Sequence, residues 1–200
     1  MKKTFLISTI AAGSLALAAC GDTSAATDTD AGDTTAATTD GETANPITAE
    51  EVAAAQQAWG EGIVAIGEVF TAEGDYSARA QEHIAAHYAY GDGQTILFKP
   101  TLAAEDQFRE TNEEALSYFV GTEGTEDGGF AIAPYTNVRW ENNGTVISDD
   151  GSMAVAMGNY FFTGTDGNET KVEYSFAYER GADGDLDIVL HHSSLPFSAN

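Results

Sequence analysis

The chain has little positive charge and almost no thiol. Its 200 residues hold 8 Lys and Arg against 32 Asp and Glu, a formal charge of −24 at neutral pH. A surface of that sign repels phosphate backbones and anionic headgroups, which excludes nucleic acid as a partner. A single cysteine, Cys20, cannot form an internal disulfide. No apolar run is long enough to span a bilayer. The phosphate-cradling glycine loop is missing, and so is the serine elbow of the hydrolases. The acids form no paired constellation that would separate catalytic carboxylates from solvated ones.

What is present begins with "MKKTFLISTIAAGSLALAAC". Lys2 and Lys3 precede a short apolar run that ends in small residues, which reads as an export signal over residues 1–20. Leu17-Ala18-Ala19-Cys20 resembles a bacterial lipobox, in which the cysteine becomes the first mature residue and carries lipid. Ala16-Leu17-Ala18 also fits an ordinary cleavage site. With Gly21 rather than Asp after the lipidated Cys20, the expected place in a Gram-negative cell is the periplasmic side of the outer membrane. Residues 21–46 are mostly Thr, Ala, Asp and Gly, with no Val, Ile, Leu or aromatic residue. Such a tract cannot bury enough apolar surface to offset its ordering entropy, so a disordered acidic tether is expected.

Residues 47–200 fit one domain. Thr48 and Glu51 have the spacing of a capping box. Val52, Ala55, Trp59, Ile63, Ile66 and Phe70 recur behind them at helical spacing. Gly60, Gly62 and Gly67 weaken that helix, so packing must hold it. Asp75 starts a second helix that runs to about Tyr90, capped by Gly91. "TILFKP" is a short strand stopped by Pro100. "AAEDQFRETNEEALSYFVG" reads as a third helix with Phe108, Ala115 and Phe119 on one stripe. The pattern then switches to period two in "TNVRWEN", "SMAVAMGNYFFTG", "TKVEYSFAYER" and "LDIVLHHSS", joined by turn-rich "DDG", "TDGNE" and "GADGD". Helices followed by antiparallel strands make an α+β arrangement. The order is similar to the NTF2-like cone, a curved antiparallel sheet wrapped over a long N-terminal helix.

Three candidate sites stand out. His83 and His87 share a helix face and could join one strand histidine in a zinc site, although they lack the adjacent glutamate of a zincin motif. Surface or core histidines are the plainer explanation. The second candidate is a set of hydroxyls, Thr101, Tyr118, Ser193 and Ser194, which would suit a small polar ligand if they shared a cavity. Capping and core hydrogen bonding explain them as well. Arg139 is the third. It could pair with Glu141 or Glu173, or hold an anion. An isomerase or cyclase would need a buried acid opposite a tyrosine, and Asp106 and Glu114 both look solvent-facing.

"ILFKPT", "FRETNEEALSYFVG", "GFAIAPY", "VRWEN", "AMGNYFFT", "KVEYSFAY" and "IVLHHSSLPFS" resemble, in order, the iota-class carbonic anhydrases. The resemblance covers about residues 96–198. It implies a cone fold, typically a homodimer, and interconversion of carbon dioxide and bicarbonate. It places bicarbonate among Thr101, Tyr118, Ser193 and His191, with His192 and Ser194 as the fallback pair. Strand parity does not choose between them, because Val189 and Leu190 make both faces apolar. Members of the class are described both without metal and with zinc or manganese. The few histidines of this chain favour no metal. The rival function is a non-enzymatic module that binds a small acid, or holds a dimer together, on a lipid tether.

Overall fold

Thr48 opens the first helix with a reciprocal cap. Its hydroxyl accepts from the Glu51 N–H, and the Glu51 carboxylate accepts from the Thr48 N–H. In the computed structural model, which describes residues 45–92 and 94–199, this helix α1 spans Ala49–Thr71. The signal segment, Cys20 and all of the tether up to residue 44 lie outside the described residues. Val52, Trp59, Ile63 and Ile66 are buried on one stripe, whereas Phe70 at the helix end is exposed and meets Tyr76 edge to face. Gly62 has a specific reason to be glycine. A Cβ there would overlap the His83 ring on the helix packed beside it.

That helix, α2, spans Tyr76–His87 and is capped by the Asp75 carboxylate. It stops earlier than the expected Tyr90. Tyr88 turns to extended backbone, and a 3-10 turn, Ala89–Asp92, follows. The break has a packing cause. Tyr88 leaves the helix to put its hydroxyl in the core between Trp59 and His191.

The third helix, α3, is only Asn112–Val120. Residues 103–111, expected to be helical, form a loop. The Glu126 carboxylate accepts from the N–H groups of Ala104, Glu105 and Asp106. Arg109 is buried, with its guanidinium on Asp127 and on the carbonyls of Asp106 and Phe108. A buried guanidinium needs such partners, and they outweigh the local helical pattern. Phe108, expected on the helix stripe, is therefore exposed. Thr111 and Glu114 form the capping box that starts the actual helix.

Five strands follow the expected order: β1 Leu97–Lys99, β2 Asn137–Ile147, β3 Met153–Thr163, β4 Glu169–Arg180 and β5 Leu186–Ser194. They form one sheet in the order β1-β5-β4-β3-β2. β2 to β5 are antiparallel, and β1 adds to β5 in parallel. β2 runs past the expected Asn142 because a bulge between Asn142 and Gly144 lets it continue. Gly158 lies opposite, where a Cβ would meet the bulged backbone. The bulge is pinned to α1 by a ring of three bonds: Gln56 Nε2 donates to Tyr174 Oη, Tyr174 Oη to Asn142 Oδ1, and Asn142 Nδ2 to Gln56 Oε1.

The concave face of the sheet packs on α1. Trp59 sits at the centre, in ring contact with Phe130, Trp140, Tyr160, Phe162, Phe176 and His191. A helix packed on the concave face of one sheet is the cone arrangement expected from the sequence. The inward row of β4 is Val172, Tyr174, Phe176 and Tyr178, all buried.

Candidate active site

A second bulge decides which end of the histidine-serine run faces inward. Along β5, Leu186 and Ile188 point into the core, and strict alternation would bring His192 and Ser194 in after them. The pairing with β4 shifts between Ala177 and Tyr178, so Tyr178 pairs with Ile188 but Ala177 pairs with Leu190. Val189 is the extra residue. From there the parity reverses, and His191 and Ser193 are buried while His192 is exposed. The fallback pair is thus corrected. His192 and Ser194 line a groove on the outer face with Met157 and Glu173, and Ser194 donates to the Glu173 carboxylate.

Each inward residue arrives from a different element. Ser193 comes from β5. Thr101 follows Pro100, just past β1 on the neighbouring strand, and its hydroxyl donates to Ser193 Oγ at 2.9 Å. Tyr118 comes from the last turns of α3, and its hydroxyl accepts weakly from the Leu102 N–H at 3.4 Å. These groups line a cavity of about 80 Å³ with Trp59, Phe130, Phe162 and Val172. A water needs about 10–15 Å³ measured in this way, so the space suits a few waters or one small planar acid.

Tyr160, on β3, belongs to none of the three sequence candidates and lines the same cavity. Its hydroxyl lies 3.5 Å from His191 Nε2, and Ser193 lines the cavity beside it. A signal for it exists in the sequence. Tyr160 stands in the inward row of "AMGNYFFT" between Gly158 and Phe162, and a buried tyrosine needs a partner for its hydroxyl. Tyr88 and Trp59 are two more such residues. Tyr88 Oη is 2.9 Å from His191 Nδ1, and Trp59 Nε1 donates to Tyr88 Oη at 3.0 Å.

The groups at the cavity are neutral. Burial holds the His191 imidazole well below the ordinary histidine value. Burial also pushes the Tyr118 and Tyr160 hydroxyls far above the ordinary phenol value. His191 lies between the rings of Phe98, 4.5 Å away, and Phe176, 4.1 Å away. The site therefore offers fixed hydroxyl donors in an apolar wall, with no charged group among the lining residues.

The other candidates fall elsewhere. His83 and His87 contact each other, but Trp59 separates His83 from His191. Among the described residues, no three His, Cys, Asp or Glu side chains converge as metal ligands. Arg139 pairs with Glu141 and with Glu169 rather than Glu173, and it lies over the Phe161 ring. Asp106 is exposed, and Glu114 is occupied as a helix cap.

The family model for metal-independent carbonic anhydrase matches residues 50–195. A metal-independent carbonic anhydrase from Nostoc sp. is 41% identical over 151 residues, which is 74% of this chain and 73% of the relative. The crystal structure of an iota-carbonic anhydrase from a cyanobacterium, complexed with bicarbonate, superposes with a TM-score of 0.73 at 38% identity. It covers 77% of this chain and 95% of its own. Over most of its length, and through all the elements that build the hydroxyl-lined cavity, the chain belongs to the metal-independent carbonic anhydrases.

Proposed function

We propose that the cone cavity hydrates carbon dioxide reversibly to bicarbonate without a metal. The observation that carries this reading is the convergence of Thr101, Tyr118, Tyr160 and Ser193 on one small apolar cavity, in a chain of that family. Carbon dioxide is apolar and enters such a wall without losing hydrogen bonds. A water held by the hydroxyls adds its oxygen to the carbon, one O–H bond of the water breaks, and the products are bicarbonate and a proton. The negative charge that develops on the carbon dioxide oxygens faces preorganised donors, as in an oxyanion hole. Positioning supplies a further part of the rate. The lining groups are neutral and poor bases, so the proton leaves through the mouth beside Leu102 and Leu195 to solvent buffer. Stopped-flow hydration after exhaustive chelation tests the proposal. Full activity is expected, and activity restored only by zinc or manganese would overturn it.

Two further proposals concern the setting. The domain is a homodimer through the outer face of its sheet, supported by exposed Met153, Val155 and Met157 on β3 beside Val146 on β2. The chain is held in the cell envelope, on the periplasmic side of the outer membrane, by lipid on Cys20. The support is the lipobox-like sequence, and Cys20→Ala should release soluble protein or leave unprocessed precursor. A variant that fractionates like the parent would refute the anchor.

A further inference from the structure

The hydrogen-bond chain behind the cavity has a direction, and Trp59 sets it. An indole N–H only donates. Tyr88 Oη therefore accepts from Trp59 Nε1, 3.0 Å away, and its own hydrogen must go elsewhere. His191 Nδ1, 2.9 Å off, is the acceptor within reach. Trp59, Tyr88 and His191 are all buried, so no bulk water substitutes for either bond. A neutral imidazole that accepts at Nδ1 carries its hydrogen on Nε2. Nε2 faces the Tyr160 hydroxyl, which it can then only supply with a hydrogen.

Counting hydrogens shows what this does for the cavity. His191 Nε2, Tyr160, Ser193 and Thr101 together bring four. Two are used within the group, from His191 to Tyr160 and from Thr101 to Ser193. Two remain, one on Tyr160 and one on Ser193, and both side chains line the cavity. With the other tautomer, Nε2 would accept from Tyr160. The Tyr160 hydroxyl would then have no hydrogen left to donate to the cavity. The geometry points to Tyr88 as a positioning residue: its hydroxyl fixes the His191 tautomer, and that tautomer gives the cavity a hydroxyl donor besides Tyr118. The same directionality means that His191 cannot accept a proton from the cavity, so it orients the donors and does not relay.

This inference rests on the carbonic anhydrase reading, but its first measurement does not. In ¹⁵N spectra of histidine-labelled protein at neutral pH, His191 should show a bare Nδ1 and a protonated Nε2. A parent protein with hydrogen on Nδ1 overturns the inference whatever the activity is. Tyr88→Phe keeps the ring and removes the hydroxyl. It should let the Nδ1–H tautomer become populated. Hydration turnover should fall roughly tenfold, less than the ~10²-fold loss of a direct oxyanion donor, with KM little changed. In a Tyr160→Phe background the same change should cost little more, because the chain no longer reaches the cavity. Full additivity of the two losses would mark structural damage and overturn the assignment, as would full turnover in Tyr88→Phe once the tautomer has shifted. A parent that hydrates no carbon dioxide, yet shows the Nε2–H tautomer, would sink the enzymatic reading and leave the hydrogen-bond direction standing.

Discussion

Tyr118→Phe removes one hydroxyl and leaves an aromatic wall in place. If that hydroxyl faces developing charge, turnover should fall on the order of 10²-fold while the melting temperature holds. Thr101→Val and Ser193→Ala should act alike, and the combined loss should be less than the sum, because the two side chains share a 2.9 Å bond. Fully additive losses in stopped-flow assays would show that they do not act on one water. The histidines carry a second prediction at this scale, on stability. Burial lowers the values of His83 and His191 well below the ordinary 6.5, and that of His87 to about 4. The unfolded chain therefore binds more protons than the folded one below pH 6.5, and stability falls with falling pH from there toward pH 4. For a single histidine the loss is about 1.4 kcal/mol for every pH unit crossed between its unfolded and folded values. The strong negative charge acts in the opposite sense, since acid relieves self-repulsion. Replacing one histidine isolates its part. His87→Asn should flatten the loss of denaturation midpoint between pH 7 and pH 5, and an unchanged slope would refute the role of His87.

Two opposed terms at Gly62 give a prediction at the scale of the element. Alanine in a helix interior gains about 1 kcal/mol over glycine. At Gly62 its Cβ would occupy the place of the His83 ring, which is buried between Trp59 and Phe119 and has nowhere to go. Overpacking of this kind costs about 1–3 kcal/mol, so it should win, and Gly62→Ala should lower the denaturation midpoint. A raised midpoint would mean that α1 and α2 separate easily. Such long-range approaches also mark where the sequence can and cannot be read. The α1 cap, the order of elements and the four long strands are legible, because caps and period-two patterns are local. The loop at 103–111 is not, because Arg109 finds Asp127 only after the chain has turned around α3. The facing of His191 and Ser193 is also hidden. It depends on one extra residue, Val189, which no alternation of side chains could show. Thr101 and Tyr118 follow from the family resemblance, whereas Tyr160 needs the inward row of β3 to be seen against β5.

The whole molecule has two unlike faces to its sheet. The inner one is filled by α1. The outer one shows Met157 at 52% and Val146 at 72% exposure, with Leu97 at 60% on the far strand. Apolar side chains spread over three strands of a sheet are the composition of an interface. Light scattering of the parent at micromolar concentration should give twice the chain mass, and Val155→Lys with Met157→Lys should halve it. A monomeric parent would remove the proposal. The strong negative charge makes such pairing depend on salt, since two like-charged subunits repel less as screening rises.

The bond from Thr101 to Ser193 joins residues 92 positions apart in the chain. It lies across the parallel pairing of β1 with β5, the last strand to be made. Pairings of this separation carry the largest loop-closure entropy and form late. A chain leaving the ribosome could complete the helices and the β2 to β4 meander while this seam is still open. Secondary structure would then return early in refolding, and catalysis only with the final closure. Turnover thus becomes a clock for the end of folding, read at the two strands that are farthest apart in synthesis.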